Sequence, residues 1–407
     1  MKHSKTLFLL AASLALPIIS HAQSTWTGAV STDYGNAGNW SPSGVPSTAT
    51  NVIINTNTPN GTIIPSGNWD RRGAGTTTIS GSGSVTLNLG SARFLNNGTF
   101  NISGGSFTQT GEYFIVASNA QGTFNQSGGT VTSSLSRGFQ ISDNDIAQSG
   151  STYNLSAGTL NVTSLATWTD ANLRNVWFGK GGDTYTGGNG SAPGDKFIVT
   201  GGTATFTKDA LQSNSSQVRL SRNAAIQVSA GTVTFANYNN FIVGYQASNT
   251  TNSGILVNGG TLVISGGTNI NLGQADDGKL TISSGTMNMD GSLILGGTGA
   301  DGNNDGIGTA VMTGGSFFAS GINLLNPSGA STFSFSGGFI RLQGDQSTII
   351  NQSWFITSGA PNTVTATYDN INNWTDITVV PEPSTFALGA LGLGALALVR
   401  RRAARRA

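Results

Sequence analysis

A glycine corner between two short alternating runs recurs along most of this chain, and no single copy of it could fold alone. It reads Phe100-Asn101-Ile102-Ser103-Gly104-Gly105-Ser106-Phe107, then Phe124-Asn125-Gln126-Ser127-Gly128-Gly129-Thr130-Val131, then Tyr153-Asn154-Leu155-Ser156-Ala157-Gly158-Thr159-Leu160. It returns at Ile198-Val199-Thr200-Gly201-Gly202-Thr203 and around Gly231, Gly260, Gly285, Gly315 and Gly338. From Gly105 onward the corner glycines are 24, 29, 44, 29, 29, 25, 30 and 23 residues apart, with an insertion around residues 161–194 in the long step. Alternation of apolar and polar residues sends successive side chains to opposite faces of a strand. Each copy therefore has one apolar face that only a neighbouring copy can cover, so the copies must stack.

A second motif follows most corners by about ten residues: Phe114-Ile115-Val116, Phe139-Gln140-Ile141, Phe241-Ile242-Val243, Ile270-Asn271-Leu272 and Leu293-Ile294-Leu295. Two strands about a corner plus a third strand predict an all-β fold, a right-handed parallel β-helix (β-solenoid) of about nine coils. A β-sandwich or propeller is the alternative. The stacked register puts Phe100, Phe124 and Tyr153 in an inward ladder and Asn125 outside. Phe124→Ala is then expected to cost roughly 3–5 kcal/mol, and Asn125→Ala about 0.5 kcal/mol or less. Thr203/Thr205/Thr207 and Thr232/Thr234 have the spacing of a flat ice-binding face, but the sequence does not show Thr uniform from coil to coil.

Composition narrows the chemistry. Charged residues make up 9% of the chain, against about 25% in an average soluble domain. The short runs of Thr, Val, Ile, Phe and Leu argue against disorder. Lys2, Lys5, Arg400, Arg401, Arg402, Arg405 and Arg406 stand at the two ends; without them 12 bases face 18 acids, a net −6. A mildly acidic body with scattered bases gives no stripe for a phosphate backbone, so nucleic acid is not an expected partner. Cysteine is absent, and the only histidines are His3 and His21. Without the N-terminal segment no histidine is left for Ser-His-Asp chemistry, a His-metal site or a His base.

Both ends read as addresses. Lys2 and Lys5 precede an apolar run over residues 7–16, Pro17 breaks it, and Ser20-His21-Ala22 places small residues before Gln23. This is the order of a secretory signal peptide over residues 1–22, with cleavage between Ala22 and Gln23. The C-terminal end carries Pro381-Glu382-Pro383, a 14-residue apolar stretch over 386–399, then Arg400, Arg401 and Arg402. The stretch is shorter than the roughly 20 residues that cross a bilayer comfortably. The arginines after it are a stop-transfer signal that keeps the C-terminus cytoplasmic.

These three parts together resemble the PEP-CTERM sorting signal of Gram-negative bacteria. The resemblance covers residues 379–407 and implies recognition by an exosortase, a membrane protease-transpeptidase. It also implies an inner-membrane intermediate and delivery to the cell surface or to an extracellular, exopolysaccharide-containing matrix.

Between signal and repeats, Trp26-Thr27-Gly28, Asn39-Trp40, Gly44-Val45-Pro46 and Asn51-Val52-Ile53-Ile54 resemble the leading segment of bacterial surface proteins built from autotransporter-type β-strand repeats. A solenoid needs its first coil covered, because an open strand edge invites aggregation. Residues 23–78 are read as that cap, 79–345 as solenoid, 346–378 as a C-terminal cap with Trp354, Phe355 and Trp374, and 379–407 as the sorting signal.

Two clusters could carry chemistry. Asp301-Gly302-Asn303-Asn304-Asp305-Gly306 has oxygen ligands at alternate positions and a turn glycine, as in the first half of a calcium loop. Asp301, Asn303 and Asp305 are the candidate ligands, although Met312 stands where the closing glutamate would fall and the composition suits a plain turn. Asp143 and Asp145, with Arg137 nearby, could place two carboxylates on one face for glycoside hydrolysis or lyase chemistry. The Asp-Asp, Gly-His-Gly and Arg-x-Lys elements of β-helix hydrolases are missing. The expectation is a non-catalytic structural protein of the surface or matrix, without a cofactor unless calcium binds, with a carbohydrate-binding or polysaccharide-degrading β-helix as the alternative.

Overall fold

The computed structural model describes residues 22–64, 67–71, 73, 75–118, 120–143, 150–165, 175–179, 194–209, 216–245, 253–297, 306–325, 330–357 and 363–380. Among them the chain is all β: there is no α-helix, and two 3-10 turns at Ala37–Asn39 and Ile349–Asn351 are the helical content. One long sheet, mostly parallel and not closed on itself, joins every strand. Antiparallel pairing, on which a sandwich or a propeller blade would depend, is confined among the described residues to the two ends.

Each pass of the chain adds to three stacks. The first contains Thr99–Ile102, the leading halves of Thr123–Ile141, Thr152–Ser164, Lys196–Lys208, Ala225–Ala236, Ser253–Ser265 and Gly278–Met289, then Gly308–Met312 and Thr332–Phe335. Beyond the glycine corner the same long strands form the second stack, with Ser84–Asn88 and Ser106–Val116 before them and Ser316–Ala319 and Phe339–Gln343 after. The third runs from Trp69–Arg71 and Arg93–Asn96 through Asn175–Phe178, Gln217–Leu220, Asn240–Val243, Asn269–Leu272 and Ser292–Leu295 to Gly321–Leu324. The 44-residue step is thus only partly an insertion, since it holds the tail of Thr152–Ser164 and a regular third-stack strand.

Inward columns make the core. Phe100 stacks on Phe124 with centroids 4.8 Å apart, and Phe124 on Tyr153 at 4.6 Å, all three fully buried. The expected ladder is present. It continues through Phe197, Ile226, Ile255 and Leu280. Asn125 is outward but not idle: its Nδ2 donates to Asn101 Oδ1 (2.9 Å), and its Oδ1 accepts from Asn154 Nδ2 (2.8 Å). Next to it, Gln126 enters an otherwise apolar column fully buried. Its amide donates to Thr159 O at 2.9 Å and accepts the Tyr153 hydroxyl at 2.6 Å, so its polar atoms are satisfied without water.

The corner demands glycine for two reasons. Gly158 has φ +87°, which L side chains rarely adopt, and a Cβ there would lie 2.5 Å from Gly129 O in the preceding pass. Backbone from one pass therefore seats directly on backbone from the last.

One expectation fails in part. Thr130, Thr159, Thr203, Thr232, Thr261 and Thr286 are successive cross-strand neighbours in one outward row, with Ser84 and Ser106 before them and Ser316 after, whereas the row through Thr205 also holds Asn161 and Val263. Each member directly follows a corner glycine, so the row shows once the copies are aligned on the corner rather than compared by strand spacing such as Thr203/Thr205/Thr207.

At the N-terminal end, Trp26 and Trp40 meet edge to face at 5.1 Å and are buried. Their indole N–H groups donate to Asn60 O and Tyr34 O. Parallel stacking already begins inside this segment, with Asn51–Ile54 against Thr77–Ile79 and Trp69–Arg71 against Arg93–Asn96. At the other end Phe355 stacks on Phe333 at 5.2 Å, and Trp374–Val380 adds antiparallel to Phe339–Gln343, with Thr363–Asp369 outermost. No helix among the described residues is long and apolar enough to cross a membrane. The apolar stretch 386–399 lies outside them, as does the signal segment up to His21.

Candidate functional site

Among the described residues, three places hold groups capable of recognition or chemistry. The first is the charged cluster near Arg137. Glu112 is buried with its two oxygens 3.4 Å from Arg93 Nε and Arg137 Nε, and both guanidinium groups lie over the Tyr113 ring, at 5.0 and 5.8 Å. Cross-strand register explains the meeting, since Arg93 pairs with Tyr113 and Tyr113 with Gly138, next to Arg137. Burial raises the Tyr113 hydroxyl pKa, against which the Arg137 hydrogen bond and charge act, while Asp143 adds to the rise. Asp143 is thus within electrostatic reach of this cluster. Asp145 lies outside the described residues. Glu112 and the two guanidinium groups thus form one ion-paired cluster beside the Tyr113 ring. Sequence reasoning noticed Arg137 and missed its partners; the available signal was three aromatic or basic residues recurring near the repeat period in a charge-poor chain.

A second cluster stands further along the outward face of the third stack. Arg219 lies 4.9 Å from the Trp177 ring and 3.9 Å from the Tyr245 ring, its Nε donating to Gln217 Oε1 at 2.8 Å. Burial lowers the Arg219 pKa, countered by Tyr245. A cation packed between two aromatic faces is a stable unit that covers the outer side of the sheet.

The third is a cleft of about 360 Å³ near the C-terminal hairpin, lined among others by Asn288, Asp290, Phe318, Arg341, Gln343 and Trp374. Asn288, Phe318, Arg341 and Asp376 are consecutive cross-strand neighbours, the last passes of an outward row that reads Thr132, Asn161, Thr205, Thr234 and Val263 before them. Arg341 makes a two-pronged pair with Asp376, Nε–Oδ1 2.7 Å and Nη2–Oδ2 2.8 Å. Asp290 is fixed by the backbone N–H groups of Gly266 and Gly267 at 2.8 and 2.9 Å. The replacement of Thr by Phe and Arg at the end of a repeat was the sequence signal for this cleft, and it was passed over.

The calcium candidates Asp301, Asn303 and Asp305 lie outside the described residues, and among those described no cluster of three His, Cys, Asp or Glu side chains could hold a metal. Trp26 and Trp40 are packed inside, not displayed. Pro381, Glu382 and Pro383 follow directly on the last described strand, Trp374–Val380, and with Arg400, Arg401 and Arg402 lie outside the described residues. No curated protein and no solved structure is significantly similar to the chain. Residues 379–406, however, match the PEP-CTERM protein-sorting motif, and the chain is accordingly an exported, surface-directed protein sorted by an exosortase.

Proposed function

We propose that this protein is a non-catalytic structural element of the cell surface or extracellular matrix, a rigid right-handed β-helix exported behind a signal peptide, sorted through Pro381-Glu382-Pro383, and associated with exopolysaccharide. The sorting motif at 379–406 is the observation that carries this reading. The described body adds support: the outward rows about Thr123–Ile141 are hydroxyl and amide side chains, and the buried carboxylate near Arg137 is paired with two arginines. Cleavage between Ala22 and Gln23 starts the mature chain. The 386–399 stretch, stopped by Arg400, Arg401 and Arg402, holds the intermediate in the inner membrane until the exosortase removes the tail.

Mass spectrometry of the protein from its native host tests both steps. The surface fraction is expected to yield a peptide beginning at Gln23 and none containing residues 400–407, and disruption of the exosortase is expected to leave the protein in the membrane fraction. An intact arginine tail on surface protein refutes the reading.

A further inference from the structure

The cleft beside the C-terminal hairpin has features of a ligand site that the structural role does not require. Its volume of about 360 Å³ falls in the range of small-molecule sites, roughly 300–1,000 Å³. Phe318 and Trp374 are half-buried, each leaving ring surface open, while Asn288 and Gln343 are exposed. Among the described residues, neither of those two amide side chains has a protein partner. An apolar ring surface beside free amides matches a pyranose, whose C–H face is apolar and whose rim is hydroxyl.

Charge narrows the ligand further. The described charges about the cleft are Arg341 against Asp290, Asp376 and Asp369, and Arg341 already gives two hydrogen bonds to Asp376. A uronate or sulfated sugar would meet uncompensated carboxylate, so an uncharged sugar fits better. Beyond the cleft, the outward row that contains Asn288 continues through Val263, Thr234 and Thr205, all half-buried and uncharged. That continuity suits a chain of sugars rather than an isolated one.

We infer that this cleft is a subsite for a neutral polysaccharide of hexose or N-acetylhexosamine units, stacked on Trp374 and Phe318 and hydrogen-bonded by Asn288 and Gln343. The inference rests on the polysaccharide association proposed above and names its ligand class and its place.

Calorimetric titration of the full chain with neutral hexose and N-acetylhexosamine dimers and hexamers, and with an oligogalacturonate, tests it. A neutral hexamer is expected to bind, and to bind more tightly than its dimer. Asn288→Ala and Gln343→Ala, both at exposed positions, are each expected to weaken binding about fivefold. Trp374→Ala should weaken it about tenfold; Trp374→Phe, which keeps a ring, should bind nearly as the parent does and controls for folding. Absence of binding by every neutral hexamer, equal or tighter binding of the oligogalacturonate, or amide variants that bind unchanged would overturn the inference. Surface delivery of the Asn288→Ala variant in the native host is read separately. Its failure there would bear on the sorting reading, and a correctly delivered parent that binds no sugar would bear on the cleft alone.

Discussion

Replacing Phe124 by alanine should damage the solenoid far beyond the site of the change. The ring is fully buried, stacked on Phe100 at 4.8 Å and on Tyr153 at 4.6 Å, and Phe114 touches it from the side at 5.3 Å. Large aromatic truncations in cores cost about 3–5 kcal/mol. Aromatic pairs add about 0.5–1.5 kcal/mol each beyond buried area, which puts Phe124→Ala near the upper end of that range. The natural control is the next residue, whose side chain the pleat sends to the opposite face. Asn125 is linked to Asn101 and Asn154 through its amide, so Asn125→Ala should cost about 1–2 kcal/mol for two hydrogen bonds. This exceeds the half-kilocalorie expected from an outward polar residue, because the outward face carries its own ladder. Native-state hydrogen exchange on the full chain reads both the size and the spread of each effect. Phe124→Ala should accelerate exchange in Thr99–Ile102 and Thr152–Ser164, the strands paired on either side. An Asn125→Ala variant as destabilised as Phe124→Ala would refute the inward register.

Three further outcomes follow from buried polar groups and corners. Gln126→Ala leaves the Tyr153 hydroxyl and Thr159 carbonyl without their partner and should cost about 2–4 kcal/mol by equilibrium unfolding, while Gln126→Leu combined with Tyr153→Phe, which leaves only the Thr159 carbonyl without this donor, should cost clearly less. Burial pushes the Asp195 carboxyl up to about 6, although Ser151 N donates to it at 2.9 Å. A raised folded-state pKa means the folded protein holds a proton the unfolded chain has lost, so stability should fall as pH rises from about 4 to about 6, by on the order of 2–3 kcal/mol; thermal melts should lose that slope in Asp195→Asn. Gly158→Ala, which meets Gly129 O, should lower the melting temperature more than Gly267→Ala, which has a similar positive φ of +72° and nothing within 4 Å; equal losses would show that backbone strain alone governs the corner.

The parts of the fold legible in the sequence are those fixed by period-2 alternation and by glycine. Phe100, Phe124 and Tyr153 could be aligned because each precedes its corner by the same five residues, whatever the length of the loop beyond. Third-stack strands were legible where they read as apolar triplets, as at Phe114-Ile115-Val116. They were missed at Val218-Arg219-Leu220, where a buried arginine occupies the outward position between aromatic rings. The threonine row stands at the residue directly after each corner glycine and was legible on that alignment; it was missed because threonines were compared along strands rather than at the corner. The cleft was illegible for a different reason: Phe318, Arg341 and Trp374 are far apart in sequence, and only the antiparallel return of Trp374–Val380 brings them together.

That return also settles how the body ends. A parallel stack exposes unpaired backbone at its last pass, an edge to which another chain could add. Here Trp374–Val380 pairs on one side with Phe339–Gln343 and on the other with Thr363–Asp369, whose side chains are mostly half-exposed or exposed and polar. The match to the sorting motif begins at residue 379, inside this strand, where Val379 and Val380 pair with Val364 and Thr363. Pro381 comes next and has no N–H to give, so a ladder cannot continue through it as before. The folded body thus closes its last parallel pass with its own chain, through a strand whose final two residues already belong to the sorting motif.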